Sequence, residues 1–160
     1  MNHPAASGRQ RLRMTALLLA GALLCAACPD SKAPGSDISA AVKERRDNFR
    51  RMGDAYKAIK ESIESGKPDA ALVVRSARLI RDTGAGQPAL FTPGSGAGSG
   101  AKTRARDAVW TEAALFARRQ DEFLATSDAL IAAAPADMSE GYEALTQACL
   151  ACHEHFRERR

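Results

Sequence analysis

Aromatic residues are scarce in this chain: one Trp, two Tyr and five Phe make up 5% of 160 residues. Large sandwich and barrel cores draw on aromatic and β-branched side chains, so this scarcity, set beside abundant Ala, Leu, Arg, Glu and Lys, favours helices. No segment alternates apolar and polar residues strongly enough to be a strand. Long apolar runs are missing too. The main uncharged, apolar stretch, Met14 to Ala27, has 14 residues, short of the ~20 that span a bilayer. A real excess of positive charge is also lacking. The formal +4 includes Arg9, Arg11 and Arg13, and without residues 1–27 the balance is 20 basic against 19 acidic residues. Those charges are interspersed as on a solvated helical surface, which excludes nucleic-acid binding on charge grounds. With 45% hydrophobic and 26% charged residues, one compact domain is expected rather than a disordered or polytopic chain.

The basic n-region followed by the short apolar run and small residues reads as a secretory signal over residues 1–27, which places the mature chain in the periplasm. Cys28 follows Leu23-Leu24-Cys25-Ala26-Ala27. That stretch resembles a bacterial lipobox with Cys where Leu is usual, so Cys28 is either a lipid anchor point or the first residue of a soluble protein. Residues 28–37, poor in apolar side chains and containing Pro34 and Gly35, read as a flexible tether, and residues 38–160 as the folded domain.

Ile38, Val42, Arg45, Phe49, Met52, Tyr56, Ile59 and Ile63 step by four and three alternately, the seam of a long bundle helix. Gly66-Lys67-Pro68 breaks it, with Pro68 suited to the first turn of a second helix whose inner face is Leu72, Val73, Ser76, Leu79 and Ile80. From Gly84 to Gly100 lies a glycine-rich crossover, which Leu90 and Phe91 are expected to pin to the bundle. It lacks the Gly-Lys-Ser/Thr ending of a phosphate loop. A third helix is expected over 107–134, with Val109, Ala113, Phe116, Gln120, Phe123, Ser127 and Leu130 on one stripe. A fourth carries Met138, Tyr142, Leu145, Cys149, Cys152 and Phe156, and Asp137 to Glu140 has capping-box spacing. The fold class is therefore all-α: an antiparallel four-helix bundle with a long loop between helices 2 and 3.

The chemistry lies in Cys149-Leu150-Ala151-Cys152-His153. On a helix the two thiols lie one turn apart, where each can add to a porphyrin vinyl group, and the adjacent imidazole reaches the iron, which is the pattern of c-type haem attachment. Zinc would want further ligands, a thioredoxin-like pair would want a βαβ setting, and a disulfide across this spacing in a helix is strained. One covalently bound haem c is the expected cofactor, with Cys149 and Cys152 as its attachment points and His153 as axial ligand. His155, two residues on, points elsewhere and is expected at the surface.

Several further features point the same way: Arg45 with Phe49 and Met52-Gly53, Leu90-Phe91 before a glycine-rich loop, Thr103-Arg104-Ala105 leading to Trp110, and a haem motif near the C-terminus followed by Phe156-Arg157. Over roughly residues 38–160 the chain resembles the class II cytochromes c, the cytochrome c′ and cytochrome c-556 family. Arg45 occupies a seam position where a buried guanidinium is costly unless an anion meets it. The resemblance makes that anion a haem propionate; the bland alternative is that Arg45 snorkels to solvent. Arg157 shares the face of His153 and stands either near the proximal side of the iron or in a solvated tail.

In the c-556 branch a Met four residues after the helix-A Arg ligates the iron. Phe49 stands there in this chain and cannot coordinate, so the resemblance implies a five-coordinate, high-spin iron with Phe49 in the distal pocket. The alternative is a low-spin c-556-like electron carrier with Met52 as sixth ligand, although Met52 matches a position that packs in the core. The expected function is electron transfer with redox partner proteins, binding of small gases such as NO or CO, or both. No acid–base pair or nucleophile suggests an enzyme. Homodimerisation through the first two helices is implied by the resemblance alone.

Overall fold

The computed structural model describes residues 34–159; the signal segment, Cys28 and most of the tether lie outside the described residues. Five α-helices are present there: α1 Pro34–Glu64, α2 Ala70–Ala85, α3 Ala108–Thr111, α4 Ala113–Ala132 and α5 Met138–Phe156. The long helices pack α1 on α2, α2 on α4 and α4 on α5, giving the antiparallel four-helix bundle. Among the described residues the only extended pairing is an isolated bridge between Ala105 and Arg157.

The helix α1 begins at Pro34, so Pro34 to Asp37 belong to its first turn and not to the tether. Proline lacks only an N–H that the first turn leaves unused. The helix ends where Gly66 takes φ +73°, a left-handed conformation that costs a residue without Cβ little. Pro68 lies outside α2, and Asp69 starts that helix by accepting a hydrogen bond from Leu72 N at 3.0 Å. The buried stripe of α2 is Val73, Ala77, Ile80 and Gly84, while Leu79 is exposed. The small Ala77 and Gly84 turn inward because α1 and α4 approach closely there.

The third bundle helix is broken at Glu112 (φ −120°, ψ 43°). Tertiary anchors on both sides override an unbroken helix. Trp110 Nε1 donates to Phe91 O at 2.9 Å, and Glu112 Oε2 meets His155 Nε2 at 2.8 Å. Upstream, Arg106 N donates to Phe156 O and Glu158 N to Arg104 O, tying this segment to the C-terminal tail. At α5 the capping box does not form. Asp137 is the last residue of a 3₁₀ turn, Pro135–Asp137, and stays helical (φ −100°, ψ −1°), so its side chain caps nothing.

Two apolar clusters result. Ile59, Val73, Ile80, Phe123, Leu130, Met138 and Leu145 form one, and Ala105, Val109 and Phe156 with Phe91, Trp110 and Phe116 form the other. Each fully buried large side chain contributes about 1.5–3 kcal/mol. Cys149 packs on the first cluster and Cys152 on the second.

Candidate functional site

A cavity of about 910 Å³ opens between α1 and α5, a volume in the range of cofactor pockets. Arg45, Phe49, Met52, Cys149, Cys152, His153 and Arg157 all line it, so the structure brings every site residue read from the sequence to one place. The seam of α5 puts both thiols there as free cysteines. Burial pushes the Cys149 thiol up to about 11, with Cys152 adding to the effect, and burial likewise raises Cys152. Both are neutral thiols at neutral pH. Burial, then the nearby Arg104, pushes His153 down, leaving a neutral imidazole able to coordinate. Among the described residues no cluster of three His, Cys, Asp or Glu side chains could hold a bare metal ion.

Phe49 reaches in from α1, its ring centroid 6.3 Å from that of His153 at an interplanar angle of 64°. Met52 packs against the larger cluster. Arg157 Nη1 lies 3.5 Å from His153 Nδ1, the limit of a hydrogen bond. Arg157 can only donate, so it bonds that nitrogen only in the tautomer that leaves Nδ1 unprotonated.

Arg45 is 3% exposed and does not snorkel. Its Nη1 donates to Leu90 O at 3.2 Å and Ser95 Oγ at 3.1 Å, and its Nη2 to Ser95 O at 3.1 Å and Thr103 Oγ1 at 2.7 Å. The guanidinium also covers the Phe91 ring at 4.3 Å. All four terminal N–H groups are thereby spent on the crossover, whose two 3₁₀ turns, Pro88–Leu90 and Ala97–Ser99, give it more structure than its composition suggests. Only Nε–H remains for an anion.

Sequence reasoning missed three features. Gln87, 3% exposed, lines the cavity with both amide atoms unpartnered, and Arg119 Nε is also buried without a partner. An unmade buried hydrogen bond costs about 1–3 kcal/mol, so both sites suit a polar ligand. A glutamine beside a glycine-rich loop carries no sequence signal of this kind. The third feature is a hydroxyl chain. Tyr142 Oη donates to Tyr56 Oη at 2.8 Å, and Thr146 Oγ1 donates to Tyr142 O at 2.8 Å. Tyr56 Oη therefore donates to Thr146 Oγ1, 2.9 Å away. Every hydroxyl proton is used, so Tyr56 offers the cavity no donor. Gln120 Nε2 likewise donates one N–H to Gly84 O at 2.8 Å.

The sequence model of the family described as cytochrome c′ matches residues 40–157. Cytochrome c′ of Rubrivivax gelatinosus is 28% identical over 124 residues, 74% of this chain and 95% of that protein. Its crystal structure superposes with a TM-score of 0.68 at 26% identity, covering 76% of this chain and 97% of that one. A cytochrome c′ described as having an unusual ligand-controlled dimer dissociation gives a TM-score of 0.69 at 23% identity, over 76% and 97% of the two chains. The nitric oxide complex of a variant cytochrome c prime from Alcaligenes xylosoxidans gives 0.68 at 24% identity, over 77% and 97%.

Proposed function

The chain belongs to the cytochrome c′ family, a family of haem proteins, and from that premise we propose that it is an exported electron-transfer and small-gas-binding protein with one haem c. The carrying observation is the meeting, in one cavity, of two free thiols and a neutral imidazole on α5 with a non-coordinating Phe49 on α1. When bound, the haem would supply an iron that exchanges one electron and can take a small gas as ligand.

The residues present fit that group. Cys149 and Cys152 would hold it covalently and His153 would ligate its iron. The unpartnered Gln87 amide and Arg45 Nε–H suit its carboxylates. Phe49, whose ring faces that of His153, would give the site an apolar wall. The Phe49 ring facing His153 and the Tyr56 hydroxyl, whose proton is spent within the protein, support neutral ligands that need little polar help, NO or CO. The nitric oxide complex of the Alcaligenes xylosoxidans relative supports this reading. Met52 as sixth ligand is disfavoured because its side chain is engaged in the core. The export signal supports a periplasmic location, with Cys28 as the candidate lipid anchor, and the relative with ligand-controlled dimer dissociation supports a homodimer.

Optical spectra of the oxidised, reduced and CO-treated protein, made in a host with haem-maturation machinery, test the proposal. The expected result is a high-spin ferric form and CO uptake by the ferrous form. A low-spin spectrum in both oxidation states would overturn the five-coordinate assignment.

A further inference from the structure

The charge around the cavity points to a partner. Beyond residue 27 the chain is nearly neutral, with 20 basic and 19 acidic residues, yet seven of the residues lining the cavity are Arg or Lys and none is Asp or Glu. Arg45 is buried within it and Arg119 is half-buried at its wall. Arg46, Arg50, Lys102, Arg104 and Arg157 edge it from three separate segments: α1, the strand-like stretch before α3, and the tail after α5. Arg50 shares Asp47 at 3.1 Å, whereas Arg46, Lys102 and Arg104 have no carboxylate partner among the described residues. One apolar side chain stands within this rim, Leu150 at 54% exposure. An apolar centre in a ring of like charges is the anatomy of a surface that steers an oppositely charged protein and then packs against it.

Resting on the haem reading above, we propose that this face is the docking surface for an acidic redox protein. The transfer is of a single electron: the partner loses what the iron gains between its ferric and ferrous states, with no bond made or broken. Two haem carboxylates do not cancel the field. Counting them together with Asp47 and Glu122, which pair with Arg50 and Arg119, three of the seven cations remain in surplus.

The test is stopped-flow reduction of the ferric holoprotein by a reduced plant-type ferredoxin, an acidic one-electron donor of about −400 mV, from low to high salt. The rate constant should fall at least about tenfold as salt rises, the behaviour of a steered encounter. An Arg46→Gln, Lys102→Gln double variant should lose about fivefold at low salt, with an unchanged optical spectrum. In that variant the cationic reductant hexaammineruthenium(II) should react faster than in the parent. A salt-independent rate, a double variant as fast as the parent, or a variant slowed towards hexaammineruthenium(II) as well would overturn the proposal, the last because the cations would then act through the haem and not on the partner. A chain that emerges without covalent haem overturns the haem reading itself and this surface with it; a coloured protein that fails the rate tests overturns the surface alone.

Discussion

Replacing Arg45 by Leu tests whether one guanidinium holds the crossover between α2 and α3. The substitution removes four hydrogen bonds of 2.7 to 3.2 Å, to Leu90 O, Ser95 Oγ, Ser95 O and Thr103 Oγ1, together with the stacking on Phe91. Bonds from a charged donor contribute about 1.5–3 kcal/mol each. Against this, burial disfavours the charge and pushes the Arg45 pKa down, a cost of several kcal/mol that Leu avoids. With the acceptors left stranded, the net loss is about 3 kcal/mol, as for a buried charge contact broken on one side. For a domain of this size that lowers the melting temperature by about 10 °C. Circular dichroism of the holoprotein measures the shift, and hydrogen exchange at the amides of 90–103 localises it. Removing a cation beside the haem should also favour the ferric form and lower the reduction potential. Unchanged melting together with parental amide protection in the crossover would refute the reasoning.

Gly84→Ala should destabilise the protein by about 1–3 kcal/mol in urea unfolding, because the new Cβ would overlap the Phe123 ring; a neutral result would mean that ring moves freely. Phe49→Met should give a low-spin spectrum and Phe49→Ala a faster CO association, and a pair of variants matching the parent would remove Phe49 from the iron. Burial and the bond to Tyr56 push Tyr142 from 10.0 up to about 12. Its folded pKa exceeds its unfolded one, so its contribution to stability is complete below pH 10 and is lost as pH rises from 10 towards 12. Tyr142→Phe should flatten that alkaline loss, whereas a variant whose alkaline loss matches the parent's would count against the hydroxyl chain.

The haem motif and the α1 and α5 seams were legible because both are local: their spacing alone puts Cys149, Cys152 and Phe156, or Val42, Arg45 and Ile59, on one face. The break at Glu112 was not, since the Ala-rich stretch favours an unbroken helix and the break answers to Phe91, Phe156 and His155, all distant in sequence. The phase of α2 was misread for a related reason. Leu79 is the larger side chain, but Ala77 and Gly84 are the ones small enough for the close approach of neighbouring helices. Arg45 was legible as a buried charge. Its partners, Ser95 and Thr103, lie 50 and 58 residues away in a loop without periodicity.

The central claim is that Cys149 and Cys152 hold a haem covalently with His153 on its iron. Acid-acetone extraction of the protein, made with haem-maturation machinery, followed by mass spectrometry of the peptide containing residues 149–153, tests it most directly. The account predicts that the colour stays with the polypeptide and that this peptide carries the mass of one haem. Free haem in the organic phase, with an unmodified peptide, would contradict it.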